Sequence, residues 1–328
     1  MAEPTTIDAR ARTLKRSLVT LAILAVIVVA LLLAVPGFDG VEAQLAHAEL
    51  GWIAVAVVLE FLSGVGYVLT FHLVFDRVPH RFARRLAWSE QAFQGAVSLG
   101  GVGGLGLGAW VLHVIEVPTG WIAQRSTVFF ILTSAVNVFV LAFFGLGIAV
   151  GVFDGPGNLL LSIGPGAVGV AVIAIFLLLP RFADRLAARF RSHERTATIL
   201  GGLSASIHET ESLLHVRDWR LVGAFGYLLF DIAVLWACFE ALGGAPPVAA
   251  LVLAYQIGYM ANVVPIPGGI GALDAGIVGA LLLYGADAAQ ATAAVIAYHA
   301  IALWVPATIG TIAFALLRRD LRAAPAPP

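Results

Sequence analysis

Two glycine-rich breaks interrupt long apolar stretches, and the residues around them are the ones equipped for chemistry. The first reads LGGVGGLGLG at 99–108 and the second PIPGGIGALDAG at 265–276. In the second, Pro265 and Pro267 have no backbone N–H to donate and stop an arriving helix. Gly268, Gly269 and Gly271 allow a tight turn and the close approach of a ligand or another backbone. A half-helix restarting near Ile270 would present free N–H groups at the positive end of its dipole, the chemistry that holds a phosphate. No Lys or Arg occurs between Arg220 and Arg318, so backbone groups would have to make any anion contact there. Gln256, Asn262 and Asp274 add polar side chains beside this break. Beside the first break, Gly103 and Gly104 stand where Gly268 and Gly269 stand in the second, with Gln91 upstream. The alternative role for these glycines is close helix packing.

Five ionisable residues fall inside apolar segments: Glu60, Asp231, Glu240, Asp274 and His299. An acidic side chain at the centre of a bilayer costs about 2.5–3.5 kcal/mol on insertion scales, so such residues face a cavity or a partner. Proton coupling through Glu60, Asp231 or His299 is one role. The other is a structural pair, for example Asp231 with His299. Asp274 adjoins the break and is assigned to the site, although an acid in a first turn also suits the helix dipole. Glu240 lies near a helix end and is read as interfacial. His72, His113 and Glu116 do not form a metal-ligand spacing, and Cys238 is the only cysteine. No G-x-S-x-G, H-E-x-x-H or phosphate-loop pattern occurs. No catalytic residue, metal or cofactor is therefore expected. Trp52, Trp88, Trp121 and Trp219 are read as interfacial anchors.

These residues must be positioned by membrane helices. The 328-residue chain is 60% hydrophobic and 12% charged, about half the charge of a soluble domain. Its nineteen Lys and Arg form a few patches: 10–16, 77–85, Arg125, 181–220 and 318–322. Cytoplasmic loops are enriched in these residues, so each patch is placed in the cytoplasm. Threading the apolar runs between them predicts an all-α polytopic membrane protein. It has six full transmembrane helices (17–35, 50–75, 126–153, 163–179, 219–242 and 288–317) plus two re-entrant Gly/Pro-broken hairpins. The first repeat is 17–153, with its hairpin at about 88–117. The second is 163–317, with a cytoplasmic segment at 181–218 and its hairpin at about 248–284. The tails 1–16 and 318–328 are both cytoplasmic. Three crossings per half invert one half relative to the other, as in an inverted-topology repeat. A shift of 165 residues superposes Gly103–Gly106 on Gly268–Gly271 and Gln91 on Gln256. The competing topology is eight full crossings with short, kinked helices. The first apolar run is longer than a signal-peptide core and is read as a retained helix. Phe182, Leu186 and Phe190 recur every four residues beside arginines. That stretch either lies on an anionic leaflet or serves as a charged connector, the simpler option.

The residues Pro265–Gly271 and Asp274, followed by Tyr298-His299, Trp304-Val305-Pro306 and Gly310, resemble a known family. It is the flippase-like transmembrane domain of lysylphosphatidylglycerol synthases and their stand-alone relatives. Members often carry Tyr-Arg where this chain has Tyr298-His299, which removes a permanent positive charge. The first half matches less closely: LGGVGGLG lacks the family's Glu, and Gln124-Arg125 is a partial match to Glu-Arg. The resemblance extends over about Ser17 to Leu317. It implies a plasma-membrane protein that moves a lipid or lipid-linked molecule between leaflets. In the two-part synthases a soluble aminoacyl-transfer domain follows the membrane region. The sequence here stops at Pro328, so aminoacylation is not expected of this chain alone.

The expected function is a flippase-like lipid transporter, not an enzyme, whose partners are a membrane phospholipid or lipid-linked substrate and no nucleic acid. The alternatives are a proton- or ion-coupled carrier of a small solute and a membrane partner of a lipid-modifying enzyme. Arg125, Glu60, Asp231 and His299 are held as coupling or structural residues.

Overall fold

The computed structural model describes residues 39–96, 102–155, 158–189, 194–260 and 272–323. The expected first crossing, both hairpin tips, and Asn262, Pro265, Pro267, Gly268, Gly269 and Gly271 lie outside these residues. The described elements are all helical: α1 Asp39–Ala46, α2 Leu50–Val74, α3 His80–Ala96, α4 Val102–Val114, α5 Thr119–Ala149 and α6 Leu159–Arg189. They continue with α7 Glu194–Val216, a short 3-10 turn Trp219–Leu221, α8 Val222–Ala241, α9 Val248–Met260, α10 Ala272–Leu283 and α11 Ala288–Ala323. Among the described residues, four stretches are long and apolar enough to cross a membrane: Leu50–Val74, Thr119–Ala149, Trp219–Ala241 and Ala288–Arg322. Their apolar residues run round the whole helix, as in buried or lipid-embedded helices. Outward-facing Phe139, Phe143, Val170, Ile175 and Leu229 remain exposed, an apolar exterior that lipid would cover.

Several boundaries differ from expectation. Pro118 directly precedes α5, so that helix starts at Thr119 and places Arg125 inside it. The apolar stretch from Ile163 and the arginines to Arg189 belong to one helix, α6, and α7 packs on both α6 and α5. Asp218 accepts from the backbone N–H of Arg220 at 2.9 Å and begins the turn before α8. The Arg220 guanidinium, then its backbone N–H, hold the Asp218 carboxyl below the usual carboxylate range.

The order long–short–short–long occurs twice, as α2–α3–α4–α5 and α8–α9–α10–α11. The packing repeats too. Helix α2 packs on α8, its own counterpart. Helix α3 packs on α11 as α9 packs on α5, and α2 touches α5 as α8 touches α11. Exchange of equivalent partners is the signature of a two-fold relation. Helices α2 and α8 are antiparallel: Glu49 N–H donates to Ala241 O, Trp52 meets Trp236 at 5.2 Å, and Ser63 Oγ donates to Tyr227 O at 2.8 Å. Gly66 and Gly223 let the two backbones touch, since a Cβ on Gly66 would lie 2.7 Å from Gly223 O.

Polar contacts gather the basic residues at one end of the bundle. Arg85 pairs with Asp320, Arg125 lies 3.6 Å from Asp76, and Arg220 donates to His72 O at 3.1 Å. This end holds the start of α3 and the start of α5. At the opposite end, Gln290 at the start of α11 donates to Leu242 O and Gly244 O, just before α9. Helices α3 and α4 pack against each other, as do α9 and α10.

Arg125 is not solitary. Its guanidinium pairs with Glu209 of α7 and faces the Trp121 ring at 5.5 Å, while Gln124 donates to the other Glu209 oxygen at 2.8 Å. It fastens α7 to α5. Arg125→Gln is expected to lose about 1–3 kcal/mol of stability, the range for charged hydrogen bonds, read as a lower melting temperature in detergent.

Candidate functional site

A cavity of about 160 Å³ lies between the two halves. It takes Glu60 and Ser63 from α2, Gln91 and Gln94 from α3, and Thr133 and Asn137 from α5. The other half adds Tyr227 and Asp231 from α8, Tyr255 and Tyr259 from α9, Leu273 from α10, and Tyr298 and His299 from α11. Pro306 also lines it. Pro306 has no N–H, so the carbonyl of Ala302, four residues earlier and also in the lining, has no partner within α11.

The centre of this chamber is a carboxyl pair at the α2–α8 crossing. Glu60 is 5% exposed and lines the chamber together with Asp231, each about one turn from the Ser63–Tyr227 contact. Tyr255 and Tyr298 donate their hydroxyls to Asp231, the latter at 3.1 and 3.2 Å from its two oxygens. Glu60 Oε2 is buried with no protein partner. Gln91 donates its Nε2 to Gly64 O at 3.4 Å and presents its amide to the chamber.

Beside the chamber lies an apolar groove of about 330 Å³. The two share Gln94, Thr133, Asn137, Tyr227 and Tyr259. Beyond them the groove is lined by Phe130, Leu141, Val168, Val172 and Met260 from α5, α6 and α9. Leu105 and Phe130 connect it to a third depression of about 530 Å³ between α4 and α5. A polar chamber beside an apolar groove suits a molecule with a polar head and an apolar tail.

The expected site residues are distributed as follows. Glu60, Gln91, Asp231 and His299 line the chamber, and Gln256 lines the groove with its Nε2 buried and unpartnered. Gly104 is a packing residue: a Cβ there would lie 2.8 Å from Glu90 O of the paired α3. Gly103 sits beside it in the first turn of α4. Asp274 is in the first turn of α10 and accepts from, or donates to, His299 Nδ1 at 2.8 Å. The Asp231–His299 pair is therefore corrected: His299 closes on Asp274, and Asp231 takes the tyrosines. The helix twist explains it, since Tyr298 and His299 are adjacent on α11 and point in different directions. Trp88 is corrected as well. It is 7% exposed, stacked on Phe61 and fitted against Gly64, not at an interface.

Sequence reasoning missed Glu90 and the tyrosines. Glu90 is 1% exposed and accepts from Tyr67 Oη at 2.7 Å, in the space that Gly108 leaves by having no side chain. Tyr67 on α2 with Glu90 on α3 mirrors Asp231 on α8 with Tyr255 on α9, acid and phenol exchanged. One signal was available: five of the six tyrosines line the chamber or groove, although they fall mid-segment, away from the helix ends where tyrosine is usual.

The fold and site define an α-helical protein whose described residues form four long apolar helices, several shorter ones and a polar chamber among them. The chain belongs to the family of the lysylphosphatidylglycerol synthase TM region, which it matches over residues 20–310. This bears out the resemblance seen in the sequence and makes the chain a multi-pass membrane protein of a lipid-related family. Comparison with curated proteins finds no significant match.

Proposed function

We propose that this protein moves a phospholipid or lipid-linked molecule between leaflets, acting as a transporter without catalytic chemistry of its own. One observation carries this reading: the polar chamber and the apolar groove lie side by side and share five lining side chains. The headgroup occupies the chamber and the acyl chains lie in the groove against α5, α6 and α9. The amides of Gln91, Gln94 and Asn137 contact the headgroup.

The proposed topology is six crossings with two re-entrant hairpins, both termini cytoplasmic, in the plasma membrane. Antiparallel α2 and α8 support the inversion. Helices α4, α9 and α10 have 13, 13 and 12 residues. At 1.5 Å per residue they reach about 20 Å, short of a hydrocarbon core of about 30 Å. The basic end is placed in the cytoplasm by the positive-inside bias. A lipid-modifying enzyme that supplies the substrate is a compatible partner at that end.

The test is reconstitution in liposomes containing a phospholipid with a fluorescent headgroup, followed by a membrane-impermeant reductant. Translocation bleaches more than the outer-leaflet half. Asn137 sits where chamber meets groove and its Nδ2 donates to Thr133 O at 3.0 Å. Asn137→Leu keeps the volume and removes the amide, and should slow translocation about tenfold, the scale of one hydrogen bond to a charged group. Bleaching that stops at the outer leaflet for phospholipids of every headgroup class would count against lipid transport.

A further inference from the structure

The α2–α8 crossing brings together one carboxyl from each half. Glu60 and Asp231 both line the chamber, each about one helical turn from the Ser63–Tyr227 contact that joins α2 to α8. A carboxylate has no hydrogen to donate, so a hydrogen bond between two carboxyls requires a proton on one of them. Tyr255 and Tyr298 direct their O–H groups at Asp231, which fills its oxygens as acceptors and suits it to be the anionic member. Glu60 receives no such donor, and its Oε2 is buried without a partner.

Among the described residues of the lining, none is a Lys or Arg that could compensate the pair. The titratable groups facing the pair are Tyr227 on α8, Tyr255 and Tyr259 on α9, and Tyr298 and His299 on α11. His299 is engaged with Asp274 of α10. Helix α3 contributes the neutral Gln91 and Gln94, and α5 the neutral Thr133 and Asn137. Two adjacent carboxylates without a counter-charge repel, and one shared proton relieves the repulsion.

We propose that the Glu60–Asp231 pair is a one-proton site and that the protein couples movement of its substrate to a proton bound and released there. The cargo in this proposal rests on the lipid-transport reading; the proton site does not. On release, the Glu60 O–H bond breaks, its electron pair stays on the carboxylate oxygen, and the proton passes to water. The pair then carries two negative charges instead of one. Its members sit on equivalent helices of inverted halves, so rocking one half against the other separates them and loosens the proton. That is how a midplane site between repeats can tie ion release to alternating access.

Infrared spectra of the full chain in liposomes test the site without any lipid probe. A protonated-carboxyl C=O band is expected at neutral pH. It should disappear in Glu60→Gln and persist in Glu90→Gln, which removes a buried carboxyl outside the chamber. In Asp231→Asn it should shift, because the partner of Glu60 changes from carboxylate to amide. A wild-type band in both Glu60→Gln and Asp231→Asn would overturn the proposal. The bleaching assay under an imposed pH gradient then tests coupling. Translocation of the fluorescent phospholipid should change several-fold with the gradient in the wild type and become gradient-independent in Glu60→Gln. A wild-type rate indifferent to the gradient would overturn coupling. If no phospholipid moves, the lipid-transport reading fails, and the infrared result alone decides the proton site.

Discussion

Asp231→Leu is expected to abolish lipid translocation and to lower stability, whereas Asp231→Asn should abolish translocation with little change in stability. The difference follows from what Asp231 holds. It accepts from Tyr255 on α9 and Tyr298 on α11, both nearly inaccessible to solvent, and it faces Glu60 on α2. Leucine leaves two buried phenols without an acceptor, at about 1–3 kcal/mol each. Water in the chamber reduces that penalty, because about 160 Å³ admits several molecules. Asparagine retains a carbonyl oxygen for the tyrosines and should stay within about 1 kcal/mol of the parent. What it loses is the charge at the centre of the chamber. A fall of roughly 100-fold in translocation is expected, equivalent to about 3 kcal/mol on the limiting barrier. Both quantities come from one preparation: melting temperature in detergent and bleaching rate in liposomes. Parent-like translocation by Asp231→Asn would remove Asp231 from the transport path.

Gly310→Val should be the most disruptive single change in the packing. A Cβ at Gly310 would lie 2.2 Å from Trp88 O and 2.5 Å from Ala92 Cβ. The first of these is backbone, which cannot rotate aside, so α11 and α3 must part. Their separation also moves Gln91 and Gln94 on α3 away from Tyr298 and His299 on α11, across the chamber. Overpacking typically costs 1–3 kcal/mol and occasionally more. The expected outcome is a melting temperature lowered by several degrees, or loss of folded protein, together with loss of translocation. Gly279→Ala is the control. Nothing lies within 4 Å of a Cβ there, on helix α10, so alanine should be neutral or stabilising by up to about 1 kcal/mol. If Gly310→Val melts like the parent, the close α3–α11 crossing is not what holds the halves together.

The sequence by itself determined the class of protein, because hydrophobicity and charge distribution act locally along the chain. Long apolar runs, basic patches and two glycine-rich breaks predicted helices whose short members, α9 and α10, fall where the second break divides them. The acids at the centre were equally legible: Glu60 and Asp231 stood out because a carboxyl inside an apolar segment is costly and therefore purposeful. Their partners were not legible. Helical periodicity places residues on a face but does not say which other helix that face meets. So Asp231 met two tyrosines instead of His299, His299 met Asp274, and Arg125 met Glu209 from a helix more than 80 residues away. Glu90 was passed over because its surroundings in sequence are polar, within an arginine-bearing helix. Only packing buries it, in the gap left by Gly108 on the next helix. Trp88 was misplaced for the same reason, since two glycines on other helices make its room. The chamber is likewise a tertiary property. It is lined by seven helices, α2, α3, α5, α8, α9, α10 and α11, each contributing one to a few side chains. No window of sequence contains enough of them to reveal the cavity.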